Sequence, residues 1–160
     1  MNNAKGISLL ETMIILALIA ILATIAIPSI NGPRDNAKLR DAVSMIRGDF
    51  EMARSWAIRE NAFAAVLIGT DGYFIFIDNG AGSTGVAEDW VPNGEERILC
   101  NRQLPSGISI NQAQTTFSDK RVRFNGRGIS TNRGILILDA PNGKSSTIDM
   151  NNRFGRIASY

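Results

Sequence analysis

The chain contains no histidine and one cysteine, Cys100. Without imidazole there is no Ser-His-Asp or Cys-His nucleophile system, no histidine metal site and no histidine proton switch. A lone thiol closes no internal disulfide and builds no multi-cysteine metal cage. A dominant charge is also lacking. Over 160 residues, 17 basic side chains stand against 15 acidic ones, and a net charge of +2 names no partner. Apolar residues at 44% and charged residues at 20% exclude wholesale disorder, and the length fits one domain.

The N-terminal segment lacks polar residues. Residues 13–27 read MIILALIAILATIAI, with Thr24 as their one polar member. Extended back to Ile7, the run makes roughly 31 Å of helix at 1.5 Å per residue, close to the hydrocarbon thickness of a bilayer. A buried core helix of this length shows a polar face, and none is present here. The pattern therefore predicts a membrane span over 7–27. Glu11 interrupts it. An ionised carboxylate is costly in lipid, so it either lies at the headgroup level or meets a cation at its own depth. No Lys or Arg occurs between Lys5 and Arg34, whereas cleavage near Ile7 would create a free α-amine. Two processing schemes compete. A secretory signal peptide would use Thr24 and Ala26 as its small residues and be cut before Ile27. The acid inside the apolar core and the length of the run count against it. The other scheme cuts after Gly6 and keeps the helix.

The run Lys5-Gly6-Ile7-Ser8-Leu9-Leu10-Glu11, followed by an apolar helix, resembles the class III signal of type IV pilins and type II secretion pseudopilins. That resemblance implies cleavage between Gly6 and Ile7 by a prepilin peptidase and N-methylation of Ile7, which stands where the family usually has phenylalanine. It implies an assembly role for Glu11, the fifth mature residue, and matches Pro28 to the family's proline at the end of the apolar half-helix. Lys5 precedes the span and Arg34, Lys38 and Arg40 follow it, so positive-inside counting alone would keep the C-terminal part in the cytoplasm. The resemblance implies the opposite: a single-pass inner-membrane protein with a periplasmic C-terminal domain.

Beyond Asn31-Gly32-Pro33, the residues Leu39, Val43, Ile46, Phe50, Ala53 and Ala57 recur at spacings of four and three. They form one apolar stripe on an amphipathic helix over 34–60, with Arg40, Asp41, Arg47, Glu51 and Arg54 off it. Pro28 or Gly32 is the expected place for a kink or a local loosening. From about residue 62 the texture is that of strands. Residues 64–68 and 73–77, joined by Gly69-Thr70-Asp71-Gly72, read as a β-hairpin. A glycine- and acid-rich loop covers 78–96. Further strands are predicted near 97–103, 107–112, 121–125, 134–138, 145–149 and 154–158. The fold class is α+β, a long N-terminal helix laid on an antiparallel sheet or sandwich. The expected organisation is a leader at 1–6, a transmembrane and filament-core helix at 7–27, its amphipathic continuation at 28–60 and a β-rich domain at 61–160. The stretch Val122-Arg123-Phe124-Asn125-Gly126-Arg127-Gly128 and the ending Gly155-Arg156-Ile157 resemble the H-type pseudopilin (GspH) and FimT-like minor pilin group.

Catalytic chemistry finds little support. Asn142-Gly143-Lys144-Ser145 has the tail of a phosphate-binding loop, but that motif needs a glycine where Leu138 stands. Glu88-Asp89 and Glu95-Glu96 read as solvated loop acids. Asp71, Asp78 and Asp89 show no spaced calcium-ligand pattern. Cys100 reads as a buried, inert thiol. No catalytic residue, metal or cofactor is predicted. Eight basic residues crowd the last 41 positions, and residues 71–96 carry six acids and no base. Arg121, Arg123, Arg127, Arg153 and Arg156 are the candidate polyanion-binding residues, set against ordinary surface charge and contacts between subunits. The expected partners are other pilin-like subunits, the prepilin peptidase, an inner-membrane assembly platform and lipid. A DNA-binding or adhesive minor pilin at a pilus tip is the alternative.

Overall fold

The computed structural model describes the backbone of residues 8–150 and 158–159, and the side chains of 8–23 and 32–150. Helix α1 covers Leu9–Glu60, 52 residues and roughly 78 Å at 1.5 Å per residue. It runs without a break through Pro28, Gly32 and Pro33. Each proline withholds one N–H from the carbonyl four residues back, and the neighbouring turns carry the helix on. Asn61 stops it in the left-handed conformation, φ 47° and ψ 41°, with its N–H turned back to the carbonyls of Ala57 and Ile58.

The strands are β1 (Phe63–Ile68), β2 (Gly72–Asp78), β3 (Ile98–Gln103), β4 (Ser109–Ile110), β5 (Arg121–Phe124), β6 (Ile135–Asp139), β7 (Ser145–Asp149) and β8 (Ala158–Ser159). They build two four-stranded sheets, β3-β2-β1-β5 and β4-β6-β7-β8, antiparallel throughout. The predicted hairpin forms with Ile68 opposite Tyr73. The strand expected near 107–112 shrinks to Ser109–Ile110. Asn111 ends it by accepting the Gln114 N–H at 3.0 Å, a local turn that competes with the ladder. Of the strand expected near 154–158, residues 154–157 lie outside the described residues, and Ala158 pairs with Asp149. Between β2 and β3 the register slips: Ile75 faces Cys100 and Phe76 faces Ile98, which leaves Leu99 as the extra residue of a bulge.

One continuous core joins helix and sheets. All six residues of the predicted stripe are buried, with Ala42 beside them. They meet Ala64, Val66 and Ile68 of β1, Ile75 and Ile77 of β2, and Leu136, Leu138 and Ile148 of the second sheet. Phe50 stands edge-on to Tyr73 and Phe124, with centroids 6.1 and 6.3 Å away. Alternation along the strands turns Phe63, Ala65, Phe76, Asp78 and Arg123 to the opposite face of the first sheet. Ala65 and Phe76 are nonetheless fully buried. The loop over 79–97 supplies Trp90 and Glu88 to that face, as the contacts of Arg123 show.

Candidate functional site

Two halves of α1 differ in what surrounds them. From Leu39 to Ala57 the apolar stripe is buried, with Ile58 just beyond it 50% exposed, whereas the large apolar residues from Leu9 to Leu22 are 47–80% exposed. Glu11 lies in the first turn of this half, among exposed leucine and isoleucine. The predicted cleavage pair Gly6 and Ile7 lies outside the described residues. Pro28 lies within the helix, its side chain outside them. The predicted span over 7–27 is therefore described only in part, without Ile7 and without the side chains of 24–27. Among the described residues, no helix is long and apolar enough to cross a membrane.

The candidate polyanion-binding arginines are not gathered on one open surface. Arg123 has only 16% of its side chain exposed and lies between two rings, 4.4 Å from the centroids of both Phe63 and Trp90. Its Nη1 is 3.5 Å from the Asp78 carboxylate, and its Nη2 is 4.0 Å from that of Glu88. Nε and Nη1 find no hydrogen-bond acceptor among the described residues, so ring faces and unlike charge, rather than directed bonds, hold the guanidinium. Arg121 also lies over Trp90, 4.7 Å from its centroid, and donates to Asp119 at 2.9 Å. Arg127 is exposed. Arg153 and Arg156 lie outside the described residues.

Of the loop acids read from sequence as solvated, Glu88 and Glu95 are exposed, whereas the half-buried Asp89 and Glu96 accept hydrogen bonds within the loop. Buried Asp78 accepts the N–H groups of Glu88 and Trp90, at 2.5 and 3.2 Å. Both donors have left-handed backbones, φ 65° and 68°, strained for residues with a side chain. Glu96 accepts from the backbone of Gly80 at 2.7 Å and Asn93 at 3.1 Å, and Asp89 takes the Asn93 amide at 2.6 Å. The correction has a simple physical cause. A glycine-rich loop exposes many backbone donors, and nearby carboxylates are their strongest acceptors. Among the described residues, no group of three or more His, Cys, Asp or Glu is placed to hold a metal ion.

A second cluster ties α1 to the sheet. Asp49, 7% exposed, accepts from the Tyr73 hydroxyl at 2.7 Å and from Arg102 Nε at 2.8 Å, with Cys100 Sγ at 3.9 Å. Burial, then the Asp49 hydrogen bond, pushes the Tyr73 phenol well above its ordinary 10.0. Burial, then the Asp49 charge, pushes the Cys100 thiol up to about 11. The Asp49 hydrogen bond raises the Arg102 guanidinium too. Cys100 is thus half-buried rather than buried, and its thiol stays protonated at neutral pH, which keeps it unreactive. Sequence reasoning missed Asp49. Its position three residues after Ile46 and four before Ala53 places it on the inward face, and that spacing was the available signal.

Residues 42–153 match the family model of the type II transport protein GspH, and residues 1–27 match the prokaryotic N-terminal methylation motif. Comparisons with curated proteins and with solved structures find no match.

Proposed function

We propose, given that the chain belongs to the type II transport protein GspH family, that it is a structural minor pseudopilin of a type II secretion pseudopilus. Prepilin peptidase removes residues 1–6, cutting between Gly6 and Ile7 and methylating the Ile7 amine. Residues 7–27 then hold the subunit in the inner membrane with the β-rich domain in the periplasm, and assembly moves that helix into the filament core. The subunit itself catalyses nothing.

The observation that carries this reading is the helix that changes character along its length: bare apolar surface from Leu9 to Leu22, a buried stripe from Leu39. The methylation motif over 1–27 supports the processing step. Lipid and neighbouring helices are similarly apolar, so moving the helix from one to the other is nearly neutral in hydrophobic terms. Glu11 then becomes the selective group. It pairs with the terminal amine of an adjacent subunit, and in a poorly solvated core that pairing fixes register. No observation on the described residues favours the DNA-capturing alternative. In it, Arg121 and Arg123 would have to leave Trp90, Asp119 and Asp78 to reach a polyanion.

Mass spectrometry of the mature protein should find an N-methylated Ile7 as its first residue. Glu11→Val should still insert and be processed, with filament incorporation reduced at least tenfold. Incorporation of Glu11→Val at wild-type levels would show that Glu11 does not act in this way, and an intact Met1 on functional protein would remove the processing scheme.

A further inference from the structure

Alongside the second half of α1 runs a groove of about 480 Å³, formed where the helix passes the start of β7. Its walls carry Arg40 and Arg47 from the helix and Lys144 from the β6–β7 turn, with Ser44 between the arginines. Among the described residues, no acidic side chain lines it. Leu39 and Val43 contribute its apolar part, each nearly buried. Arg40, Ser44 and Lys144 are exposed at its mouth.

We propose that this groove is a docking surface for an acidic segment of an adjacent pilin-like subunit, an inference that rests on the filament reading above. Three observations favour that occupant. The walls are cationic, so they select a carboxylate-bearing partner and repel basic ones. Part of the groove's surface is apolar, which suits a polypeptide that brings an aliphatic side chain beside its acid better than it suits a phosphodiester backbone. The groove also lies on the same helix as the bare apolar half. A rod packed against neighbours from Leu9 to Leu22 carries those contacts along its axis, and Arg40 follows Leu22 by roughly 27 Å at 1.5 Å per residue. Arg40 and Lys144 reach the partner's carboxylate from opposite walls, and Ser44 contacts its backbone.

The test uses the full chain in cells, with p-benzoylphenylalanine introduced at Ser44 in the groove or at Ile15 in the apolar half, and mass spectrometry of the photo-adducts. The Ser44 adduct should map to an acidic peptide of a pilin-like subunit. Arg40→Glu combined with Lys144→Glu should cut its yield at least tenfold, with the Ile15 adduct and the membrane level of the protein unchanged. A Ser44 adduct that is insensitive to this charge reversal overturns the proposal, as does an adduct to DNA. Absence of a Ser44 adduct with the Ile15 adduct intact overturns the groove alone and leaves the filament reading standing. Loss of both adducts in the unmutated background overturns the filament reading, and the groove with it.

Discussion

Asp49 gathers three side chains from two strands around one nearly buried carboxylate, so its neighbours set how the domain answers to pH. The Tyr73 phenol and the Cys100 thiol are both raised, which means that the folded state favours their protonated, neutral forms. Stability from a raised group is whole below its unfolded value and is lost as pH climbs toward the folded one. For Cys100 that window opens near the ordinary 9.0 and closes at about 11; for Tyr73 it opens near 10.0. The urea midpoint of the detergent-solubilised chain should therefore show no loss from these groups up to pH 9 and a fall between pH 9 and 11. Cys100→Ala should delay the onset of that fall. Tyr73→Phe removes a hydrogen bond to a charged acceptor and, with Arg102 still beside Asp49, should cost about 1 to 2 kcal/mol at pH 7 while flattening the alkaline limb. A midpoint that drops equally in all three proteins above pH 9 would assign the alkaline loss to other groups.

The loop over 79–97 is held to the first sheet by a few strong attachments rather than by a ladder of its own. Asp78 satisfies two of its N–H groups, and Arg123 sits under Trp90 beside that same carboxylate. Removing Arg123 leaves the fully buried Asp78 carboxylate without its cation, and Trp90 without the group beneath it. Arg123→Ala should destabilise the domain by about 2 to 3 kcal/mol, at or just below the usual cost of breaking a buried ion pair because two backbone donors remain on Asp78. Limited proteolysis should then cut within 79–97 at least tenfold faster than in the parent, and unchanged cleavage there would mean that the clamp does not hold the loop. This arrangement also marks what a sequence can disclose. The stripe from Leu39 to Ala57 and the hairpin around Gly69–Gly72 were legible because both are local periodicities with one buried face. The exposed apolar half-helix and its Glu11 were legible for a different reason, an unbroken apolar run with a single acid in it. The Arg123 clamp was not, since Phe63, Asp78, Trp90 and Arg123 come together through strand register and loop path. The bond from Asp49 to Arg102 spans 53 positions, and no local pattern signals it. Asp89 and Glu96 were misread because composition shows the carboxylates and hides the loop donors that recruit them, while Glu88 and Glu95 are exposed as read.

Across the whole molecule, the same helix is packed on the domain from Leu39 and bare from Leu9 to Leu22, so substitutions in the two parts should act separately. Ile15 is half exposed, in the part of α1 that precedes the buried stripe. A substitution there touches no core contact, so Ile15→Asp should change domain stability by no more than about 0.5 kcal/mol. Placed in a bilayer, the same change replaces a favourable residue by a carboxylate and should cost about 3 to 4 kcal/mol of insertion if the site lies near the membrane centre. Phe50 gives the converse case. It is fully buried between Tyr73 and Phe124, and Phe50→Ala should cost about 3 to 5 kcal/mol of domain stability through lost burial and the cavity left behind. It leaves the apolar half-helix as it was. Alkaline-carbonate extraction of membranes, paired with urea denaturation of the detergent-solubilised chain, reads both quantities on each variant. Ile15→Asp should leave the membrane fraction with its denaturation midpoint intact, and Phe50→Ala should stay in that fraction with its midpoint lowered. If Ile15→Asp also unfolded the domain, the first turns of α1 would be part of the domain's core, and the anchoring duty assigned to them under the filament reading would fail.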